Sequence, residues 1–163
     1  MIHLRTADCG LREQGFDLAC VDGDHRFQSV LEDFIVLEKW AAPSALVVLH
    51  DTLPLTNVTA TAERQSGFYT GDGWKLVPCL NALRPELRLL TLPIAPTGLT
   101  LITGLNPRSD VLYERKSQIV EVYARLSAQR IVERPGAVVG PLGLSEANAV
   151  SRWLLDAGVQ SRS

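Results

Sequence analysis

Five side chains suited to acid–base and metal chemistry fall into two short groups in this 163-residue sequence. The first group is Asp22, Asp24 and His25, and the second is His50 and Asp51. Carboxylate oxygens and imidazole nitrogens are ligands for divalent cations such as Mg²⁺ or Mn²⁺. An imidazole beside such an ion can also take a proton from a hydroxyl group. If the fold brings the two groups together, they predict a weak divalent-cation site next to a general base.

The elements around the two groups predict that they do meet. Each group ends a short apolar run, residues 17–22 and 45–50, with the length and composition of a buried strand. Between the runs, apolar residues recur at helical spacing from Phe27 to Ala41, and Pro43 ends the pattern. This strand–helix–strand unit predicts parallel strands. The carboxyl ends of parallel strands share one crevice, where α/β proteins bind their ligands.

Each of the five residues also has a structural interpretation. Asp24 is placed to cap the helix that follows it. Asp22 and Asp51 are of the type that accepts hydrogen bonds from turn amides. His25 and His50 would then be solvated turn residues. These interpretations compete with the functional one, and a capping role for Asp24 is compatible with both.

The remaining sequence predicts further α/β elements. In chain order these are a long loop over residues 53–73 with a short helix at 60–64, a helix that begins near Pro78, strands at 87–93 and 98–104, a helix from Asp110 to about Arg130, a linker at 136–143 and a short amphipathic helix at 145–157. Because the joint between the last two strands is short, we expect them to be antiparallel neighbours.

Composition and charge exclude several classes of partner. The net charge is −2, the sequence pI is about 5.9, and no basic patch of the kind found in nucleic-acid-binding proteins is present. No apolar stretch approaches the roughly 20 residues of a membrane span. The three cysteines show no Cys-x-x-Cys spacing, which favours free thiols in a reducing cytoplasm. We therefore expect a cytoplasmic protein that binds neither nucleic acid nor membrane.

Several segments together give a family resemblance. They are the first strand with Asp-Gly-Asp-His at 22–25, the helix that contains Asp33, the second strand with His-Asp-Thr at 50–52, and residues 74–78 and 96–105. Over about residues 2–125 the sequence resembles the class I S-adenosylmethionine-dependent methyltransferases, in the branch of macrolide-sugar O-methyltransferases and cephalosporin-hydroxylase-like proteins.

The resemblance implies an α/β fold that corresponds to the C-terminal half of a Rossmann-like methyltransferase sheet. That sheet is expected to be mostly parallel, with one antiparallel strand. In the family's labels the strand order would be 4-5-7-6, for residues 17–22, 45–50, 98–104 and 87–93, with 98–104 reversed.

The resemblance also implies a role for each of the five residues. Asp22, His50 and Asp51 would be the metal ligands, although His50 stands where some members of the family have Glu. His25 would be the general base. Asp24 and His25 would contact the cofactor, S-adenosylmethionine.

The glycine-rich loop that holds this cofactor in the family does not precede Phe16. We therefore expect residues 1–130 to be a partial methyltransferase domain without the cofactor-binding half, followed by a linker and a short helix over 131–163. The intact form would methylate a hydroxyl of a small molecule or sugar. The chain alone, a truncated form, would neither bind the cofactor tightly nor transfer a methyl group.

Two other functions remain open at this point. One is a non-catalytic methyltransferase-like domain that binds a metal or a partner. The other is a glycosyltransferase that uses Asp22-Gly23-Asp24 as a D-x-D motif. With no first strand beside it, the strand at Phe16–Val21 would also be an exposed sheet edge, so we expect the chain to self-associate.

Overall fold

A computed structural model describes residues 15–140 and 149–159. It contains one four-stranded sheet in the order β1-β2-β4-β3. The strands are β1 (Phe16–Val21), β2 (Ala41–His50), β3 (Arg88–Leu92) and β4 (Leu99–Thr103). This confirms the α/β class and the spatial order of the four predicted segments, although the family's strand labels do not carry over to a sheet of four described strands.

The expectation of a mostly parallel sheet is wrong. β1 and β2 are parallel, whereas β4 is antiparallel to both β2 and β3. Because the single reversed strand lies between two others, two of the three pairings are antiparallel. The tight joint between β3 and β4 forms the antiparallel pair that was predicted.

The described residues also form seven α-helices and one 3₁₀ turn. They are α1 (Phe27–Lys39), the turn Gly73–Lys75, α2 (Leu76–Leu83), α3 (Val111–Glu114), α4 (Lys116–Ala124), α5 (Ala128–Glu133), α6 (Pro135–Val139) and α7 (Ala149–Asp156). Pro78 lies in the first turn of α2, as predicted, where its missing N–H removes no helical hydrogen bond.

Three predicted elements differ from the structure. The helix expected from Asp110 to Arg130 is divided into α3, α4 and α5, and the Ser127 side chain accepts a hydrogen bond from the Gln129 amide where α5 begins. Residues 60–64 form bends instead of a helix, because Thr61 donates its hydroxyl proton to nearby backbone carbonyls. Part of the expected linker is the helix α6.

The second strand is longer than predicted and contains Pro43. The register between β1 and β2 is irregular there: Phe16 pairs with Ala41, and Leu18 already pairs with Leu46. Proline cannot donate a ladder hydrogen bond, so it is tolerated where the pairing is interrupted. Beyond this irregularity β1 and β2 pair without a break to Val21 and Leu49, which brings their carboxyl ends side by side.

The core joins one face of the sheet to α1. Val47, Leu49 and Ile102 belong to the same buried cluster as Leu31 and Phe34 of α1. Burial of each such side chain stabilises the fold by about 1.5–3 kcal/mol. The sheet and α1 thus provide a rigid support for the strand ends. Within the part of the chain that the structure describes, no helix has the length and apolar character needed to cross a membrane.

Candidate functional site at the ends of two parallel strands

The ends of β1 and β2 bring an imidazole and a carboxylate into contact. The Nδ1 atom of His25 lies 2.9 Å from Oδ2 of Asp51. Both residues have left-handed backbone conformations, with φ of 62° for His25 and 58° for Asp51. Such conformations cost a non-glycine residue about 1–3 kcal/mol and tend to occur at functional sites, where the surrounding structure enforces them. The pair is therefore held in place by the fold and not by local preference.

The second imidazole lies between two carboxylates. Nδ1 of His50 is 3.1 Å from Oδ1 of Asp22 and 3.3 Å from Oδ1 of Asp51. Asp51 therefore contacts one imidazole through each of its carboxylate oxygens, and its side chain is only 9% exposed. The four side chains form a continuous row in the order Asp22, His50, Asp51, His25. The predicted convergence of the two strand ends is confirmed.

The donor atoms fit a divalent cation. Asp22, His25 and Asp51 each offer one ligand atom, and these three atoms lie within 4.8 Å of one another. Two ligands that each sit 2.0–2.6 Å from a hard cation are at most about 5 Å apart, so one ion could reach all three. The cluster contains His25 where the resemblance implied His50. That Asp22, His50 and Asp51 ligate a metal stays a prediction.

Asp24 contacts the start of α1, but it is not the helix cap that its position predicts, because the N-cap residue of α1 is Arg26. Its Oδ1 accepts a hydrogen bond from the Arg26 amide, and its Oδ2 accepts one from the Ser29 hydroxyl, both at 2.8 Å. Burial acts to raise the pKa of Asp24, but these hydrogen bonds outweigh it and hold the pKa below its usual value. Asp24 therefore belongs to the start of α1. Its contact with a cofactor stays a prediction.

Residues of the loop after β2 complete the site, and the sequence analysis did not select them. The Gly73 amide donates a 2.9 Å hydrogen bond to the carbonyl of His25. Gly71 has a φ of 67°, and a Cβ at this position would lie 2.1 Å from the same carbonyl oxygen. The ring of Tyr69 meets His25 edge-on at 6.1 Å. The signal available in the sequence was the pair of glycines, spaced two apart, in the predicted long loop over residues 53–73.

Asp72, between those glycines, connects the loop to the helices. Its Oδ1 accepts a 2.7 Å hydrogen bond from the Phe27 amide at the start of α1. Its Oδ2 forms a 2.9 Å ion pair with the buried Lys75, whose Nζ also donates to the Ala124 carbonyl. The loop is thus fixed at the point where it supports His25.

Comparison with known proteins gives a match over the segment that contains this site. A family model described as a methyltransferase domain matches residues 3–52, a segment that includes β1, α1, β2 and all five predicted site residues. The match supports a methyltransferase-like domain, as the resemblance implied. No curated protein and no solved structure gives a significant match to the chain.

Proposed function

We propose that this chain carries the acceptor-activating part of an S-adenosylmethionine-dependent O-methyltransferase. The acceptor would be a hydroxyl of a small molecule or sugar, as in the macrolide-sugar and cephalosporin-hydroxylase-like branch. The observation that carries the proposal is the 2.9 Å contact between His25 and Asp51 at the carboxyl ends of two parallel strands. The methyltransferase-domain match ends at residue 52, just past this pair. The proposal includes a cytoplasmic location, which the free thiols of Cys20 and Cys79 support.

His25 is the general base of this proposal. If its Nδ1–H donates to Asp51, the lone pair of Nε2 is free to accept a proton. The proton moves from the acceptor hydroxyl to Nε2, and the oxygen becomes the nucleophile. Asp51 then stabilises the imidazolium and keeps the ring oriented. S-adenosylmethionine, when bound, supplies the methyl group from its sulfonium sulfur.

A divalent cation would be held by Asp22 and Asp51, with His50 as a further ligand, so that His25 stays available as the base. Such an ion supplies Lewis-acid polarisation of a hydroxyl, which favours loss of its proton. The donor set of two carboxylates and an imidazole suits Mg²⁺ or Mn²⁺. The proposal therefore combines a base and a cation at one crevice.

A second candidate is a non-catalytic methyltransferase-like domain. The position of His50 favours it, because Nδ1 of this imidazole already contacts both Asp22 and Asp51 and so links the two carboxylates without a metal. In that case the row of four side chains would connect the two strand ends and have no chemical role.

Calorimetric titration with Mn²⁺ tests the cation site of the first candidate. The cation site predicts measurable binding that Asp22→Asn and Asp51→Asn each weaken at least tenfold. Asp110→Asn is the matched control, because this exposed carboxylate pairs with Lys39 on the surface. Absence of heat above the blank, or equal affinity in all variants, would contradict the metal-assisted function.

Methyl transfer itself is measured with the full chain, methyl-labelled cofactor at millimolar concentration and a panel of hydroxyl acceptors. The high concentration allows for weak cofactor binding, and any transfer would contradict the expectation that the chain alone is inactive. Transfer that His25→Gln abolishes supports the base. Transfer that survives this variant would assign the proton abstraction to another group, and no transfer to any acceptor would favour the non-catalytic domain.

A further inference from the structure

We propose that a second site, separate from the strand ends, binds a small amphiphilic anion: an apolar body with a carboxylate, sulfonate or phosphate group. The site is a cavity of about 420 Å³ between the start of α2 and the helices α5 and α6. Small-molecule sites in proteins are commonly of roughly 300–1,000 Å³. The walls include none of the four side chains in the row at the strand ends. The proposal therefore does not depend on the proposed function.

Five of the eight residues that line the cavity are apolar: Trp74, Pro78, Leu126, Ala137 and Val138. The indole N–H of Trp74 is already used, because it donates a 3.2 Å hydrogen bond to a backbone carbonyl of the loop after β2. The ring therefore brings no unsatisfied donor to the cavity, which suits a hydrocarbon or aromatic body.

The lining of the cavity also includes two arginines. Arg130 lies in α5 and Arg134 directly follows its last residue; the Arg134 amide donates a 3.0 Å hydrogen bond to the Arg130 carbonyl, and both residues line the cavity. Among the described residues, neither guanidinium has a hydrogen-bond or ion-pair partner. The nearby Glu133 carboxylate accepts a 2.6 Å hydrogen bond from Gln129, so it is held along the helix and not by an arginine.

The charges of the residues that line the cavity favour an anionic ligand. Two guanidinium groups and one carboxylate line the cavity, which leaves a net positive charge beside an apolar wall. Arginine binds carboxylate and phosphate groups through paired N–H donors, and these charge-assisted bonds are about twice as strong as neutral ones. A neutral molecule of the same shape would bury its body and leave both guanidinium groups unpaired. The geometry therefore favours an anion over its neutral analogue.

The test uses the fluorescent probe 1-anilinonaphthalene-8-sulfonate, which has an aromatic body and one sulfonate. We expect saturable binding to the full chain, with displacement by decanoate at a concentration at least tenfold below that needed for decanol. The double variant Arg130→Gln/Arg134→Gln should weaken binding of the probe and of decanoate at least tenfold. Arg115→Gln, an exposed arginine outside the cavity, is the matched control and should change neither.

A cavity-filling variant separates this site from other apolar surfaces. Ala137→Trp should abolish probe binding with both arginines still present, whereas Leu18→Lys on the distant β1 strand should leave it unchanged. Unfolding curves of the variants that match those of the parent chain show that the fold is retained. Equal displacement by decanoate and decanol, or unchanged binding in the double variant or in Ala137→Trp, would overturn the proposal.

Discussion

At the scale of single residues, the backbone of His25 depends on a glycine from a distant loop. A Cβ on Gly71 would lie 2.1 Å from the carbonyl oxygen of His25, and its φ of 67° is itself unfavourable for other residues. We expect Gly71→Ala to lower the free energy of unfolding by at least about 1–2 kcal/mol, the usual cost of a left-handed conformation alone. Urea unfolding followed by circular dichroism measures this change.

The matched control is Gly67→Ala in the same loop. A Cβ on Gly67 would meet no atom within 4 Å. The free energy of unfolding should therefore change by less than about 0.5 kcal/mol. Equal effects of the two substitutions would mean that the contact with His25 is not what requires glycine at position 71.

The site residues were predictable from sequence where they follow a strand. Asp22, His25 and Asp51 end apolar runs, so parallel pairing alone was enough to bring them together. The contacts that hold them were not predictable. Asp72 reaches the start of α1 from 45 residues along the chain, out of a loop with no periodic pattern. Nor could a sequence pattern show that Asp24 would use one oxygen on the Arg26 amide and the other on the Ser29 hydroxyl.

At the scale of elements, a buried ion pair connects α1 to the end of α2. Arg84 donates to both carboxylate oxygens of Glu38, at 2.6 and 2.8 Å, and both side chains are almost fully buried. Burial acts to lower the pKa of Arg84, but Glu38 and Glu86 outweigh it and raise the pKa, so the guanidinium stays charged. Removal of one charge from such a pair leaves the other buried with less compensation.

Glu38→Gln should therefore lower the free energy of unfolding by about 3 kcal/mol, the lower end of the range for a broken buried pair. The matched control is Glu121→Gln, which removes one charge of the exposed pair between Glu121 and Arg125. That change should cost less than about 1 kcal/mol. Thermal unfolding of the two variants gives the comparison, and a loss at Glu38 no larger than the loss at Glu121 would contradict it.

The elements themselves were predicted unevenly, and the reason is their length. The 13-residue helix α1 repeats its apolar positions over more than three turns, so its pattern was unambiguous. The helices α3, α5 and α6 have four to six residues each, too few for a period to be recognised. Their boundaries depend on single contacts such as the Ser127 cap, which a continuous apolar pattern hides.

At the scale of the whole molecule, the reactivity of two cysteine thiols distinguishes the native fold from the unfolded chain. Cys79 is fully buried in the core, and burial raises the pKa of its thiol to about 12. Cys20 is exposed, and its pKa is raised by partial burial and by the charge of Asp22. Since the thiolate is the reactive form, a rise in pH from 7 to 9 should speed alkylation of Cys20 and leave Cys79 unlabelled.

Iodoacetamide labelling followed by peptide mass spectrometry measures both sites in one sample. Cys79 should be labelled only in urea, over the same concentration range in which circular dichroism shows unfolding. Labelling of Cys79 in native buffer at a rate near that of Cys20 would mean that the core around α2 opens without global unfolding.

The arrangement of the sheet also predicts how the molecules associate. β1 lies at one edge of the sheet that the described residues form, and its Leu18 side chain is 65% exposed. A free strand edge with an apolar side chain is a template for pairing with a second chain.

Light scattering should therefore give a mass above the 17.8 kDa of one chain, and Leu18→Lys should shift it to 17.8 kDa. Leu55→Lys, at a similarly exposed leucine in the loop after β2, should leave the assembly intact. A monomeric parent chain would show that this edge is covered, and dissociation by both variants would show that charge alone, and not the strand edge, controls assembly.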